Sequence, residues 1–235
     1  MTGSGWRASC STRPVAERAP VVAVVPLRDG RSGKTRLAGV LGADQRTRLV
    51  AVLARQVVDA LLAAGPVTRV LVVTQDHDFA AGAVPADPRV EVVRQGRDRP
   101  GLNPAVAMGH ERARDGGARR VLVVHGDLPL LTAADVRALL APTAAVVVAA
   151  DRAGQGTNAL VLDAGLTFRF RFGPGSRAAH EREADRLGLG AVVVDRPGTA
   201  MDLDSPADWA ALPGAARDRL ARAVGPAVAV GPAHQ

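Results

Sequence analysis

The chain has 235 residues, is 47% hydrophobic and carries a formal net charge of +7. This size suits one α/β domain with a sizeable core, and the single cysteine, Cys10, excludes a disulfide framework or a cysteine-cluster metal site. The arginines are scattered, aromatic residues make up 3% and no membrane-spanning or signal-like run is present, so we expect a cytoplasmic protein with neither nucleic acid nor membrane as partner.

The chain begins with a segment that we expect to lie outside the domain. Residues 1–19 have no hydrophobic period and are rich in Gly, Ser, Pro and charge, which predicts a mobile extension. From residue 20 onward, short valine-rich or alanine-rich runs alternate with helix-like segments. These runs, each expected to be a buried strand, are residues 21–25, 70–73, 90–93, 121–124, 145–149 and 191–194. Residues 225–235 predict a loose tail, which leaves a single domain over residues 20–224.

Helical periodicity fills the spaces between the predicted strands. A helix predicted over residues 44–64 has one apolar stripe, made by Leu49, Leu53, Val57 and Leu61. Further helices are predicted over residues 104–114, 132–140, 176–187 and 205–212. This alternation predicts a three-layer, Rossmann-like α/β fold, with helices on both faces of a mostly parallel sheet. Ligands of such sheets bind beyond the carboxyl ends of the strands, so the loops there are the candidate sites.

The first of these loops, residues 26–37, combines glycines with cations. Glycines let backbone N–H groups approach an anion, and Lys34 and Arg36 supply charge for a polyphosphate. Lys34 is the only lysine, whereas the other 29 of the 30 Lys and Arg residues are arginine. Either this position needs a compact, mobile ammonium, or Lys34 is an accidental survivor of a bias towards arginine. Because Lys34 lies in a loop, we expect it at the surface. An ordinary strand-to-helix turn remains the alternative interpretation of this loop taken alone.

A P-loop is the rival interpretation of the same residues, since Gly33-Lys34-Thr35 matches the last three positions of that motif. The motif needs a glycine five residues before Gly33, where Arg28 stands. A P-loop NTPase would also want an acidic residue directly at the end of strand 121–124, where His125 stands. Both departures favour a different nucleotide-binding fold.

Two acidic loops are candidates for coordinating Mg²⁺. Asp127 closely follows the predicted strand 121–124, and carboxylate oxygens are the ligands that Mg²⁺ prefers. Asp202 and Asp204 are two residues apart in an extended segment, so their carboxylates would point the same way and meet Asp127 across the sheet edge. Capping of a turn or of the next helix is the alternative role for Asp127 and Asp204. Mg²⁺ disfavours imidazole, so we expect His125 as a partly buried, hydrogen-bonded side chain.

Two further glycine-rich stretches, residues 151–158 and 171–177, each carry a hydroxyl and a nearby arginine. The second opens a predicted helix, which suits a phosphate or a carboxylate. Together with the loop for a triphosphate, they indicate a second, smaller acidic substrate.

Six motifs in chain order resemble the guanylyltransferases of coenzyme F-420 biosynthesis, which belong to the nucleotide-diphospho-sugar transferase-like superfamily. The motifs are GKTRL, GLN, HGDLPLL, DRAGQGTNAL, FGPGS and DLDSPADW, within residues 21–212. The first, third and sixth motifs occur across the superfamily. The two glycine loops, DRAGQGTNAL and FGPGS, distinguish this family from the rest of the superfamily. The resemblance implies transfer of GMP from GTP to the phosphate of phosphoenolpyruvate, 2-phospho-L-lactate or 3-phosphoglycerate, with release of pyrophosphate. Among these acceptors we favour phosphoenolpyruvate.

The resemblance also implies which residues form the site. The nucleotide would contact Gly33, Lys34, Arg36 and Asn103. The acceptor would contact Thr157, Gly173 and Ser176. Mg²⁺ would be held by Asp127 with Asp204 or Asp202, and the catalytic residues would be Lys34, Arg36 and Asp127. Many relatives have a second acidic residue at the position of His125, so the histidine here argues for one ion rather than two.

The implied chemistry needs no catalytic histidine. The acceptor phosphate has a second pKa near 6, so it is already an anion at neutral pH and can attack the α-phosphorus of GTP without a general base. Rivals within the superfamily are a molybdenum-cofactor guanylyltransferase and a sugar-phosphate nucleotidyltransferase, and the glycine loops at residues 154–157 and 173–176 argue against both. The partners expected are GTP and a small phosphorylated carboxylic acid, and a homodimer is the assembly that we consider.

Overall fold

The computed structural model of the protein describes residues 20–28 and 34–225. The predicted extension, residues 1–19, and residues 226–235 of the predicted tail lie outside the described residues, so the division into one domain with two flanking segments stays a prediction. Residues 29–33 of the first loop, including Gly33, lie outside them as well. None of the helices in the described part of the chain has both the length and the apolar content of a membrane span.

Seven strands form one sheet in the order β3-β2-β1-β4-β6-β5-β7. They are β1 Val21–Leu27, β2 Val67–Thr74, β3 Val90–Arg94, β4 Arg120–Val124, β5 Val146–Ala150, β6 Thr157–Asp163 and β7 Ala191–Val193. Strands β1 to β4 pair in parallel, with Val24 of β1 opposite Leu71 of β2 and Val123 of β4. Strand β6 runs antiparallel to both of its neighbours, and β7 runs parallel to β5. The predicted mostly parallel sheet is therefore confirmed.

Strand β6 is absent from the sequence-based prediction, although all six predicted strands are present. The glycine-rich stretch was expected to remain a loop through residue 158, whereas β6 already begins at Thr157. Its first residues follow two glycines and have polar side chains, so the local pattern favours a loop. The pairing with β4 and β5 overrides that preference, because it satisfies the backbone of a fully buried segment.

Helices cover both faces of the sheet. They are α1 Ala43–Leu62, α2 His77–Ala83, α3 Leu102–Asp115, α4 Ala133–Leu140, α5 Ser176–Arg186, α6 Pro197–Ala200, α7 Pro206–Ala211 and α8 Gly214–Val224, with a 3-10 helix at Thr35–Gly39. The five predicted helices correspond to α1, α3, α4, α5 and α7. The other three were missed: α2 and α6 have only seven and four residues, whereas α8 carries a regular buried stripe of Ala216, Leu220 and Val224 that the prediction overlooked.

The core consists of two layers separated by the sheet. Val21, Ala23 and Val25 of β1 pack with the cluster that includes α1, whereas Val22 and Val24 pack with the cluster that includes α3. Successive residues of a strand point to opposite faces, so a continuous valine run is buried on both sides. The predicted three-layer arrangement is confirmed.

A third apolar cluster positions the loops at the carboxyl edge of the sheet. It contains Leu37 of the 3-10 helix, Leu49 and Leu53 of α1, Leu203 of the segment before α7 and Leu220 of α8, all fully buried. Leu203 also donates a backbone hydrogen bond of 3.1 Å to the carbonyl of Asp127. The loop after β1, the loop after β4 and the segment before α7 are thereby brought to one place.

Two glycines in helices provide a matched test of this packing. A Cβ on Gly109 of α3 would overlap Val24 of β1, whereas a Cβ on Gly82 of α2 would meet nothing within 4 Å. We expect Gly109→Ala to cost about 1–3 kcal/mol through overpacking, partly offset by the helical preference of alanine. Gly82→Ala should instead stabilise by about 0.5–1 kcal/mol. Urea unfolding of both variants measures the difference, and equal effects would contradict the close approach of α3 to β1.

Candidate active site

A cleft of about 760 Å³ opens at the edge where β1 and β4 end. Its walls come from the loops after β1, β4 and β5, from the start of β6, from the turn before α5 and from the segment before α7. It is lined by eight of the residues proposed from the sequence, namely Lys34, Arg36, Asp127, Thr157, Gly173, Ser176, Asp202 and Asp204. The fold thus brings residues from both ends of the chain to one cavity.

Lys34 lies between two carboxylates inside this cleft. Its Nζ donates to Oδ2 of Asp127 at 2.6 Å and to Oδ1 of Asp204 at 2.5 Å. The side chain is only 7% exposed, so the expectation of a surface lysine is wrong. The reason is tertiary: the 3-10 helix that follows Lys34 buries Leu37 in the third apolar cluster and draws the loop inward. Within the described residues, Lys34 is the one non-glycine residue with positive φ, at 57°.

Lys34 and Asp127 stabilise each other's ionised forms at this contact. Burial alone would lower the pKa of Lys34, but the charges of Asp127 and Asp204 outweigh it and hold the pKa above its ordinary value. Burial would likewise raise the pKa of Asp127, but Lys34, followed by His125, outweighs it and holds that pKa below the ordinary value. At neutral pH, Lys34 is therefore a cation and Asp127 an anion.

Asp202 completes a cluster of three carboxylates. One oxygen from each of Asp127, Asp202 and Asp204 lies within 4.8 Å of the other two. Burial, followed by the negative charge of Asp127, raises the pKa of Asp202. The Oδ1 of Asp127 is buried and has no hydrogen-bond partner among the described residues. An orphaned oxygen beside two more carboxylates is a donor set that fits a hard divalent cation.

The capping alternative for Asp204 is resolved by its neighbours. Ser205 is the N-cap of α7, and its side chain accepts from the backbone N–H of Asp208. The Asp208 carboxylate in turn accepts from the backbone N–H groups of Asp204 and Ser205. The helix is therefore capped by Ser205 with Asp208, which leaves the carboxylate of Asp204 for Lys34.

The two glycine-rich stretches form the opposite wall of the cleft. The backbone N–H of Thr157 donates to Oγ of Ser176 at 2.8 Å, and both residues are 2% exposed. The backbone N–H of Arg177 donates to the carbonyl of Gln155 at 3.0 Å, which ties the two stretches together. Gly173 has a φ of 132°, in the region that favours glycine. Apart from the carboxylate of Asp151, which accepts from the backbone N–H of Gln155, the side chains of this wall that line the cleft are uncharged and include the hydroxyls of Thr157 and Ser176.

The structure gives weaker support to the other residues considered from the sequence. Asn103 does not line the cleft: its amide donates to the carbonyl of Phe172 at 3.1 Å and accepts from the Phe172 N–H at 2.7 Å. Arg36 is exposed at the rim. His125 is partly buried, but the expected hydrogen bond is not seen at its Nε2, which has no partner among the described residues, while its ring lies 5.2 Å from Phe172. The nucleotide-binding roles of Asn103, Arg36 and Gly33 stay predictions.

Three residues of the site were missed by sequence reasoning. Asp151 directly follows β5 and lines the cleft, and its carboxylate accepts from the backbone N–H of Gln155 at 2.8 Å. His180 lies behind Thr157, and its spacing of four residues from Ser176 places both on one face of α5. Arg28 lines both the main cleft and a smaller chamber. Helical spacing was the signal that could have found His180.

The smaller chamber, of about 240 Å³, adjoins the main cleft and shares Pro26, Leu27, Arg28 and Leu102 with it. Its far wall includes Gln95, a buried side chain whose amide donates to the carbonyls of Arg99 and Gly101. The combined cavity is therefore elongated, with the acidic cluster and the hydroxyl wall in its larger part.

The sheet order, with helices on both faces of the sheet, is that of the nucleotide-diphospho-sugar transferase fold. A solved structure described as a nucleotide-diphospho-sugar transferase, from Desulfovibrio desulfuricans G20, matches with a TM-score of 0.63 at 15% identity. The match covers 79% of this chain and 82% of that one. At this identity the likeness shows the fold alone.

The chain belongs to the family described as "Guanylyl transferase CofC like", whose sequence profile matches residues 21–218. A phosphoenolpyruvate guanylyltransferase from Rubrobacter xylanophilus is 41% identical to it over 82% of this chain and 93% of the relative. A 2-phospho-L-lactate guanylyltransferase from Halorubrum lacusprofundi is 38% identical over 80% of this chain and 82% of the relative. The resemblance inferred from the six motifs is confirmed, and the chain is an enzyme of the nucleotidyltransferase class.

The unequal environments of Asp127 and Asp202 predict opposite effects of two matched substitutions on the metal-free protein. Asp202→Asn removes a carboxylate whose ionisation is opposed by burial and by Asp127, so the melting temperature at pH 7 should stay or rise. Asp127→Asn leaves the buried Lys34 with fewer counter-charges, so the melting temperature should fall. Calorimetry in EDTA measures both, and equal losses would contradict the assigned charges.

The pH dependence of this difference in stability follows from the same two pKa shifts. The raised pKa of Asp202 destabilises the fold above that pKa, and the penalty disappears as the pH falls through it towards the unfolded value of about 4. The advantage of Asp202→Asn over the parent should therefore shrink with acidification. The lowered pKa of Asp127 gives stability that is present above about 4 and lost as the pH falls through the folded pKa.

Proposed function

We propose that the protein transfers GMP from GTP to the phosphate of phosphoenolpyruvate, so that a phosphoanhydride forms and pyrophosphate leaves. The observation that carries the proposal is the pairing of two unlike walls in one cleft. One wall holds Lys34 and three carboxylates, and the other holds the buried hydroxyls of Thr157 and Ser176. A triphosphate with its metal suits the first wall, and a small acid suits the second.

On the nucleotide side, Asp127, Asp202 and Asp204 would hold Mg²⁺. When bound, the ion supplies neutralisation of the phosphate oxygens as charge moves to the leaving group. Lys34 carries its ammonium on a flexible side chain. In the described structure this ammonium is shared by two carboxylates of the same cleft. Its Nζ, together with the guanidinium of Arg36 at the rim, would neutralise the departing pyrophosphate. The smaller chamber beside Arg28 would take the base.

On the acceptor side, the nucleophile is the substrate's own phosphate. It is an anion at neutral pH, so no side chain has to remove a proton from it. The task of the protein is to align that oxygen with the α-phosphorus of GTP, which Thr157, Gly173 and Ser176 would do by binding the carboxylate end of the acceptor. The acidic cluster and the hydroxyl wall face the same cavity, which supports such an alignment.

A second acceptor, 2-phospho-L-lactate, is supported by the name of the Halorubrum relative. It differs from phosphoenolpyruvate by saturation of the carbon–carbon double bond, and both present a carboxylate beside a phosphate. We rank phosphoenolpyruvate first because of the more similar Rubrobacter relative. The homodimer, the cytoplasmic location and a place in coenzyme F-420 biosynthesis stay predictions.

A substrate panel tests the proposal. Pyrophosphate release is measured with GTP, ATP, CTP and UTP, each with phosphoenolpyruvate, 2-phospho-L-lactate or 3-phosphoglycerate, with Mg²⁺ and with EDTA. We expect the highest rate with GTP, phosphoenolpyruvate and Mg²⁺, and no release without an acceptor. Release of equal rate with every nucleotide, or release that needs no acceptor, would contradict the proposed reaction.

The role of Lys34 is tested by comparing two cations. Lys34→Ala should lower kcat by about 100-fold or more, because a charge aimed at the leaving group is lost. Arg55→Ala removes an exposed cation of α1 that does not line the cleft, so it should leave kcat unchanged. Steady-state pyrophosphate release gives both values. An unchanged kcat in Lys34→Ala would remove Lys34 from the proposed mechanism.

A further inference from the structure

His180 is a fully buried histidine that the proposed chemistry does not use. It lies on α5, and its ring is 0% exposed. The edge of the ring packs against Phe172 with a centroid separation of 4.7 Å, and Phe168 lies 5.8 Å away. The aromatic contacts fix the plane of the imidazole, so its two nitrogens have defined partners.

Those partners determine which nitrogen carries the proton. The backbone N–H of Arg171 donates to Nε2 at 3.1 Å, so Nε2 must be an acceptor. Nδ1 lies 3.0 Å from Oγ1 of Thr157. Burial, followed by the charge of His125, lowers the pKa of His180 to about 4, so the ring is neutral at pH 7. A neutral imidazole with an acceptor at Nε2 carries its proton on Nδ1, which therefore donates to Thr157.

This donation sets the direction of the Thr157 hydroxyl. Because Oγ1 already accepts from His180, its own hydrogen is left to point elsewhere, and Thr157 lines the cleft. Ser176 is arranged in the same way, since its Oγ accepts from the backbone N–H of Thr157 at 2.8 Å and its hydrogen is left over. Two neighbouring hydroxyls therefore each have an acceptor lone pair occupied from inside the protein.

We propose that His180 is a positioning residue of the acceptor site, which presets the Thr157 hydroxyl as a donor so that Thr157 and Ser176 together select an ionised carboxylate. A carboxylate only accepts hydrogen bonds, so it is matched by two donors. A carboxamide in its place would present N–H groups to those donors and would be disfavoured. The inference rests on the proposed function, because it concerns the acceptor of that reaction.

Substitution of His180 tests the preset direction. His180→Leu removes the donor to Thr157, and we expect the KM for phosphoenolpyruvate to rise about tenfold or more while the KM for GTP stays within about twofold. His180→Asn retains an N–H near the position of Nδ1, so its KM for phosphoenolpyruvate should stay within about threefold of the parent. Equal changes in both KM values, or no rescue by asparagine, would overturn the proposal.

A double-substitution cycle separates positioning from packing. If His180 acts through the Thr157 hydroxyl, His180→Leu should not raise the KM for phosphoenolpyruvate any further once Thr157→Val has removed that hydroxyl. Additive effects of the two substitutions on this KM would contradict the proposal. If His180→Leu does not fold, the comparison uses Thr157→Val and His180→Asn, of which only the former is expected to raise this KM.

A second buried histidine supplies the matched control. His110 of α3 is 4% exposed and packs against Phe170 at 5.5 Å, and it does not line the cleft. His110→Leu should change the melting temperature without a selective change in the KM for phosphoenolpyruvate. Parent enzyme that turns over none of the three acceptors would count against the proposed function itself. Active parent enzyme with an unselective His180→Leu would count against the role of His180 alone.

Discussion

The ion pairs of Lys34 with Asp127 and Asp204 are the contacts on which the active site depends. Three carboxylates lie within 4.8 Å of one another at the edge of the sheet. Because they are partly buried, their mutual repulsion has to be balanced by a cation. In the described structure that cation is the ammonium of Lys34, which is 7% exposed. Leu37 and Leu203 anchor the two flanking segments in one apolar cluster, so packing and charge hold the same loops together.

The two walls of the cleft complement each other in chemistry. The wall of Lys34 and the carboxylates suits a polyphosphate with a divalent cation, whereas the opposite wall offers neutral hydroxyls whose directions are set by buried partners. Neutral donors bind an anion without adding charge to a site that already contains several charged groups. Asn103 supports this wall from behind, because its amide holds the backbone of Phe172 in both directions.

Much of this arrangement follows from the sequence, and the exceptions have tertiary causes. The valine runs predicted the central strands, and the spacing of Asp202 and Asp204 predicted that both would face Asp127, as the cluster shows. Strand β6 was missed because only its pairing with β4 and β5 overrides a glycine-rich context. The burial of Lys34 depends on the distant Leu203 and Leu220, which no local pattern records. The direction of the Thr157 hydroxyl depends on His180, whose helical spacing from Ser176 is a local sign of its place but not of its contact with Thr157.

Phosphorus NMR of the reaction products distinguishes GMP transfer from hydrolysis of GTP. The protein is incubated with GTP, phosphoenolpyruvate and Mg²⁺, and the phosphorus resonances are followed to completion. If the protein transfers GMP, pyrophosphate appears together with two mutually coupled resonances from a new diphosphate that joins GMP to the acceptor phosphate. Formation of GDP and inorganic phosphate, with the acceptor unchanged, would instead indicate an NTPase and would contradict GMP transfer.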